Sequence, residues 1–115
     1  MIDLLSEINS KRALLYEAVS RVRKNGESLA KAEYDYKVKL AQSMLKLKDS
    51  GMAATLIRDM VFNDNDVALA RLERDIQEAN YTANQEYINA VKLELRLLEA
   101  QAAREWSVSD NYGQV

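Results

Sequence analysis

Apolar residues recur at helical intervals along most of this chain. The first run reads Leu5, Ile8, Arg12, Leu15, Val19, Val22, Gly26, in alternating steps of three and four. That is a heptad seam with one arginine and one glycine set into it. Beyond it, Ala30, Tyr34, Val38, Ala41 and Leu45 step mostly by four. Such spacing lies nearer an eleven-residue repeat and relaxes a left-handed supercoil. The pattern predicts one helix over about 3–48, with Asp3 at its positive end. Asn25-Gly26 is a turn signal inside that span. Both flanks keep the helical period, and a lone glycine costs a helix only about 1 kcal/mol. A continuous helix is therefore favoured over a break. Lys46-Leu47-Lys48-Asp49-Ser50-Gly51 reads as the stop, with lysines in the last turn and a glycine to take the left-handed position.

A short helix is predicted over 52–62, with Met52, Leu56, Ile57, Met60 and Val61 on one face. Asn63-Asp64-Asn65-Asp66 is a polar turn that offers caps to the next helix. The last helix is predicted over 66–106. Its apolar row reads Leu69, Leu72, Ile76, Ala79, Ala83, Tyr87, Val91, Leu95, Leu98, Ala102, Trp106, at 3.7 residues per step. Ile88, Leu93 and Leu97 form a second stripe beside the first, making the face too wide for one partner helix. Residues 107–115 lack a period and read as a flexible tail. The fold class expected is all-α: a long antiparallel, coiled-coil-like hairpin in a single domain, 1–106, with a short helix at its tip. Facing positions on the two long helices should sum to roughly 114 from helix rise alone. Gly26 would then face Ile88, Tyr34 would face Asn80 and Tyr81, and Trp106 would lie beside Ile8. The wide face predicts a homo-oligomer, most simply a dimer closing a four-helix bundle, or a tetramer.

Composition narrows the chemistry. The 115 residues include no Pro, no Cys and no His. Disulfides, thiolate nucleophiles, zinc knuckles and the commonest general base are thereby excluded. Di-iron bundles built on Glu-x-x-His pairs are excluded as well. No apolar run approaches a membrane span, and Met1-Ile2-Asp3 does not open like a signal peptide, so a cytoplasmic location is expected. Net charge is −2 but unevenly spread. Residues 1–50 carry ten Lys/Arg against seven Asp/Glu, and residues 51–115 carry six against eleven. Helices of opposite bias attract, which favours folding back.

The candidate sites are surfaces. Met52, Leu56, Ile57, Met60, Val61 and Phe62 form an apolar, methionine-bearing tip, either a cap on the bundle or a partner site. Tyr87, Ile88, Leu93, Leu97 and Trp106 are the expected oligomer interface. Lys24, Lys31, Lys39 and Lys46 fall near one side of the first helix, where a stripe would track phosphates, though charge runs are usually solvated faces. Tyr34, Tyr36, Tyr81 and Tyr87 suit base stacking, but at seam spacing they are better read as core or interface. Asn63-Asp64-Asn65-Asp66 is as acidic as a calcium loop but lacks its glycine and its downstream glutamate, so turn and cap is preferred. No cofactor and no catalytic residue is expected.

Certain blocks resemble a known group: Leu29-Ala30-Lys31-Ala32-Glu33-Tyr34-Asp35-Tyr36, Gly51 to Val61, Asp66-Val67-Ala68, Arg71-Leu72-Glu73-Arg74-Asp75-Ile76 and Leu93 to Trp106. Together, over about 29–106, they resemble small helical early-region proteins of tailed phages and prophages of Gram-positive bacteria. The resemblance implies a protein of the bacterial host cytoplasm, encoded near recombination and single-strand-binding functions. It carries no active-site residues. The expected function is a non-enzymatic protein-interaction module, a helical homo-oligomer that binds another protein in phage DNA metabolism or host takeover. The alternatives are a DNA-associated recombination or replication accessory protein and an anti-defence inhibitor of a host nuclease.

Overall fold

The computed structural model describes residues 2–113, with side chains described over 3–108. The chain forms α1 (Ile2–Asp49), α2 (Ala54–Met60), a 3-10 turn at Val61–Asn63 and α3 (Asn65–Gly113). Among the described residues there is no strand. Long helices follow from a chain rich in Ala, Leu, Glu, Lys, Arg and Gln without proline. α1 passes through Asn25-Gly26 without interruption.

Its end is a Schellman motif. The Met52 N–H donates to the Leu47 carbonyl at 3.2 Å and the Gly51 N–H to that of Lys48 at 3.0 Å. Gly51 takes φ 87 there. The Ser50 hydroxyl also donates to the Leu47 carbonyl, at 2.6 Å. α3 opens on Asp64, whose Oδ1 accepts the Asp66 N–H at 2.9 Å and whose carbonyl accepts that of Ala68 at 3.0 Å. α3 does not stop at Trp106. It continues to Gly113, because residues 107–112 contain no proline and no glycine to end it. Residues 114 and 115 of the expected tail lie outside the described residues.

By its contacts the chain divides into two units, Met1–Val22 with Ala83–Val115, and Arg23–Thr82. In the first, α1 packs against α3 through Leu4, Ile8, Lys11, Leu15, Ala18 and Val22 on one side. Asn84, Ile88, Val91, Leu95, Leu98 and Ala102 meet them from α3. The helices run antiparallel: Arg12 meets Glu99 at 3.3 Å, and the Arg21 guanidinium lies 5.8 Å from the Tyr87 ring centre. Ala18 is fully buried, and the Asn84 amide donates to its carbonyl at 3.0 Å. Such close approach needs the small side chain.

In the second unit the inward positions are Asn25, Leu29, Ala32, Tyr36, Lys39 and Ser43 of α1. They pack against Val67, Ala70, Arg74, Gln77 and Tyr81 of α3. The helices are again antiparallel, with Tyr81 against Gly26 and the Arg74 guanidinium 4.6 Å from the Tyr36 ring centre. Ile57 and Val61 are buried and fold α2 and the 3-10 turn back onto this unit.

Several expected placements are corrected. The inward positions keep the three-four alternation throughout each unit, and no eleven-residue spacing appears. At two adjoining apolar pairs of α1 the inward residue is not the expected one: Leu4 and Ala18 are buried, while Leu5 and Val19 are each 51% exposed. On α3 the inward row is not Leu69, Leu72 and Ile76, all of which are exposed. The pairing also differs by about seven residues, two helical turns, from the expected register. Gly26 faces Tyr81 rather than Ile88, Tyr34 is exposed, and the Trp106 ring is exposed rather than tucked beside Ile8. The cause lies at the connection. α2 returns alongside the end of α1, near Met44 and Lys48. α3 therefore begins opposite Ser43, with Asp64 beside that hydroxyl, and not opposite Lys48.

Candidate interaction surfaces

The six tip residues divide into two groups. Ile57 and Val61 are buried and Met52 is half-buried, so these serve the second unit's own packing. Leu56, Met60 and Phe62 remain exposed. The Arg71 guanidinium lies 5.0 Å from the Phe62 ring centre, and the Asn63 amide reaches the Met60 sulfur at 3.6 Å. Cap and outward surface are thus different residues of one short helix and the turn that succeeds it.

The five interface residues are all on α3, in the first unit. Ile88 is buried within the chain against α1, so it offers no free surface. Tyr87 is 39% exposed and partly shielded by Arg21. Leu93, Leu97 and Trp106 are exposed, at 57%, 62% and 63%.

Sequence reasoning missed how the outward leucines are ordered. Leu69, Ile76, Ala83, Ala90 and Leu97 follow one another at seven residues, as do Leu72, Ala79, Glu86, Leu93 and Ala100. All ten are exposed. Together they alternate three and four and constitute a second heptad row, apolar but for Glu86. At 3.6 residues per turn, its centre lies roughly 160° around α3 from the inward row. Leu93 and Leu97 therefore lie opposite the inward row and Ile88 within it, so these three do not form one stripe. The signal was in the sequence, as two superposed periods two residues out of phase.

The four lysines differ in what they meet. Lys39 is half-buried and pairs with Asp35 at 3.3 Å. Lys46 lies near Asp64. Lys24 and Lys31 are exposed and, among the described residues, make no salt bridge. Tyr36 and Tyr81 are half-buried between helices, whereas Tyr34 is 73% exposed.

The electrostatics are local. Asp64 is held below the usual carboxylate range, first by the buried Ser43 hydroxyl and then by the Asp66 N–H. Lys11 is raised above its ordinary value by its hydrogen bond and ion pair with Glu94. Arg74 is raised by Asp75, which accepts from it at 2.8 Å and 3.1 Å. Among the described residues no three of His, Cys, Asp and Glu converge to hold a metal ion, and Asp64 acts as a cap. No helix of the described residues is long and apolar enough to cross a membrane.

No family model, no curated protein and no solved structure matches this chain.

Proposed function

We propose that the chain is a non-enzymatic interaction module: a coiled-coil-like helical homo-oligomer that binds another protein in the bacterial cytoplasm. Its setting would be phage or prophage DNA metabolism, or takeover of the host. The observation that carries this reading is the second apolar row of α3, where Leu69, Leu72, Ile76, Leu93 and Leu97 each stand 45–62% exposed. An ordered apolar row on a water-exposed helix face favours association. The exposed Leu56, Met60 and Phe62 provide the surface for the other protein, since methionine-bearing surfaces adapt to their partners. Light scattering behind a sizing column tests the oligomer. Wild type should exceed the monomer mass, and Leu93→Asp or Leu97→Asp should return it to the monomer mass. Two variants the same size as wild type would remove the interface.

One observation favours a DNA-associated accessory role as the second reading. Lys24, Lys31 and Tyr34 are exposed together on α1, two cations without salt-bridge partners and a ring able to stack. Salt-sensitive retardation of single- or double-stranded DNA at micromolar protein, lost in a Lys24→Ala, Lys31→Ala variant, would move the assignment there.

A further inference from the structure

We infer that the shoulder between the end of α1 and α2 is a docking groove for an acidic amphipathic segment of another protein, one with large apolar residues a helical turn apart and carboxylates beside them. The inference rests on the protein-interaction reading above and gives the partner a chemistry.

Every residue of the groove belongs to the second unit. Ala41, Met44 and Leu45 of α1 form one wall, Ala54 of α2 lies across from them, and Ile57 is the buried floor. The cleft holds about 430 Å³. At 3.6 residues per turn, the α1 wall stands roughly opposite Lys39 and Ser43, which meet α3. The wall is therefore not used in pairing the long helices, and Met44 is 38% and Leu45 59% exposed. Its methionine can adapt to what enters.

Charge selects the occupant. Lys48 and Arg58 line the groove, one from each helix, and among the described residues no carboxylate lines it. Lys37 stands on the same face of α1, one turn before Ala41. Among the described residues none of these three cations makes a salt bridge, whereas Lys39 pairs with Asp35. Asp49 and Asp59 follow two of them but lie about 100° further round their helices. From Lys37 to Lys48 is about 16 Å along α1, so cations stand at both ends of the apolar stretch. An anionic, apolar occupant relieves the like charges and covers the exposed side chains together.

Shape favours a peptide over a small carboxylate. Small-molecule sites bury most of the ligand. Here the walls are exposed and only the floor is buried, so a small ligand would stay largely in water. A helical segment laid along the groove makes contact over its whole length. Leu56 and Met60 stand on the opposite side of α2 from Ala54 and Arg58, so the groove is separate from that surface.

The probes are two fluorescein-labelled synthetic peptides. Each carries two leucines one helical turn apart among alanines, flanked by glutamates in one and by lysines in the other. Fluorescence anisotropy with the full chain is the measurement. The glutamate peptide should bind about tenfold more tightly than the lysine peptide, and less tightly as salt is added. Leu45→Ala should weaken it about tenfold, and Leu56→Ala should leave it unchanged. Lys48→Glu with Arg58→Glu should reverse the preference, so that this variant gains the lysine peptide. Equal binding of both peptides by wild type, or none at millimolar protein, would overturn the inference; a wild-type mass above the monomer would leave the homo-oligomer reading in place. Loss of the glutamate peptide in Leu56→Ala but not in Leu45→Ala would move the partner to the other side of α2, overturning the groove and keeping the protein-binding reading. Decanoate that binds where the peptides do not would make the occupant a small carboxylate and overturn the inference. A charge-reversed variant that falls from oligomer to monomer mass would put a second copy in the groove and overturn it too.

Discussion

A methyl group built onto Gly26 would lie 3.5 Å from Tyr81 Cε2, ordinary van der Waals contact. The seat is therefore open, and the glycine only weakens a helix interior. Gly26→Ala is expected to stabilise the protein by about 1 kcal/mol, read as a raised midpoint in urea. Gly51 meets nothing within 4 Å, yet its φ of 87 is hostile to any other residue, so Gly51→Ala should cost about 1 kcal/mol. If both variants shift the same way, one of these two causes is wrong. Asp64 makes a pH prediction. Its folded-state carboxyl is depressed by Ser43 and the Asp66 N–H, so its stabilising effect is present above the unfolded-state value. It is lost as pH falls through the lower folded-state value. Wild type should therefore lose stability in acid, and Asp64→Asn should flatten that slope; an unchanged slope would deny Asp64 the role. At this scale the sequence was legible where one residue type has one use. Gly51 after a lysine-rich turn and Asp64 before a helix could be read directly. The partner of Gly26 could not, because it depends on where α2 returns the chain.

The helices themselves were the most legible feature, and their facing rows the least. On α3 the row traced through the largest apolar residues ran at 3.7 per step. It begins on the outward row at Leu69, crosses at Tyr87, and ends on the inward row from Val91 to Ala102. The apparent straightness came from stitching two heptads together. The inward row escaped notice because in the second unit it is polar and aromatic: Asn25, Tyr36 and Lys39 against Arg74, Gln77 and Tyr81. Such residues pack through ring stacking and hydrophobic stems, which a count of leucines does not detect. In the first unit Asn84 is the uncharged polar member, donating to the Ala18 carbonyl. A lone amide in a helix seam specifies register at some cost in stability. Asn84→Leu should therefore raise stability by about 1 kcal/mol and permit slipped pairings, seen as doubled amide resonances around Ala18. A destabilised variant with single resonances would mean that the hydrogen bond outweighs the apolar gain.

What the chain buries decides how it behaves in dilute solution. Among the described residues ten hydrophobic side chains are buried, three of them alanine, while seventeen large ones stay exposed. Two long helices that share so thin a core are poorly insulated from water, and isolated helices are marginal without a packed face. The exposed leucines of α3, Leu93 and Leu97 among them, are apolar surface left to offset chain entropy. Folding and self-association should then be linked, as for many obligate dimers, and the melting temperature should rise with protein concentration. Dilution monitored by circular dichroism and light scattering together is the check, with helicity and mass falling over the same concentration range. If mass halves while helicity holds, each chain is self-sufficient, and the inward rows of Leu4 to Val22 and Asn25 to Ser43 stabilise more than their composition implies. Leu97→Asp separates the two cases at one concentration: it melts the helices if folding needs the second copy, and otherwise leaves a stable monomer.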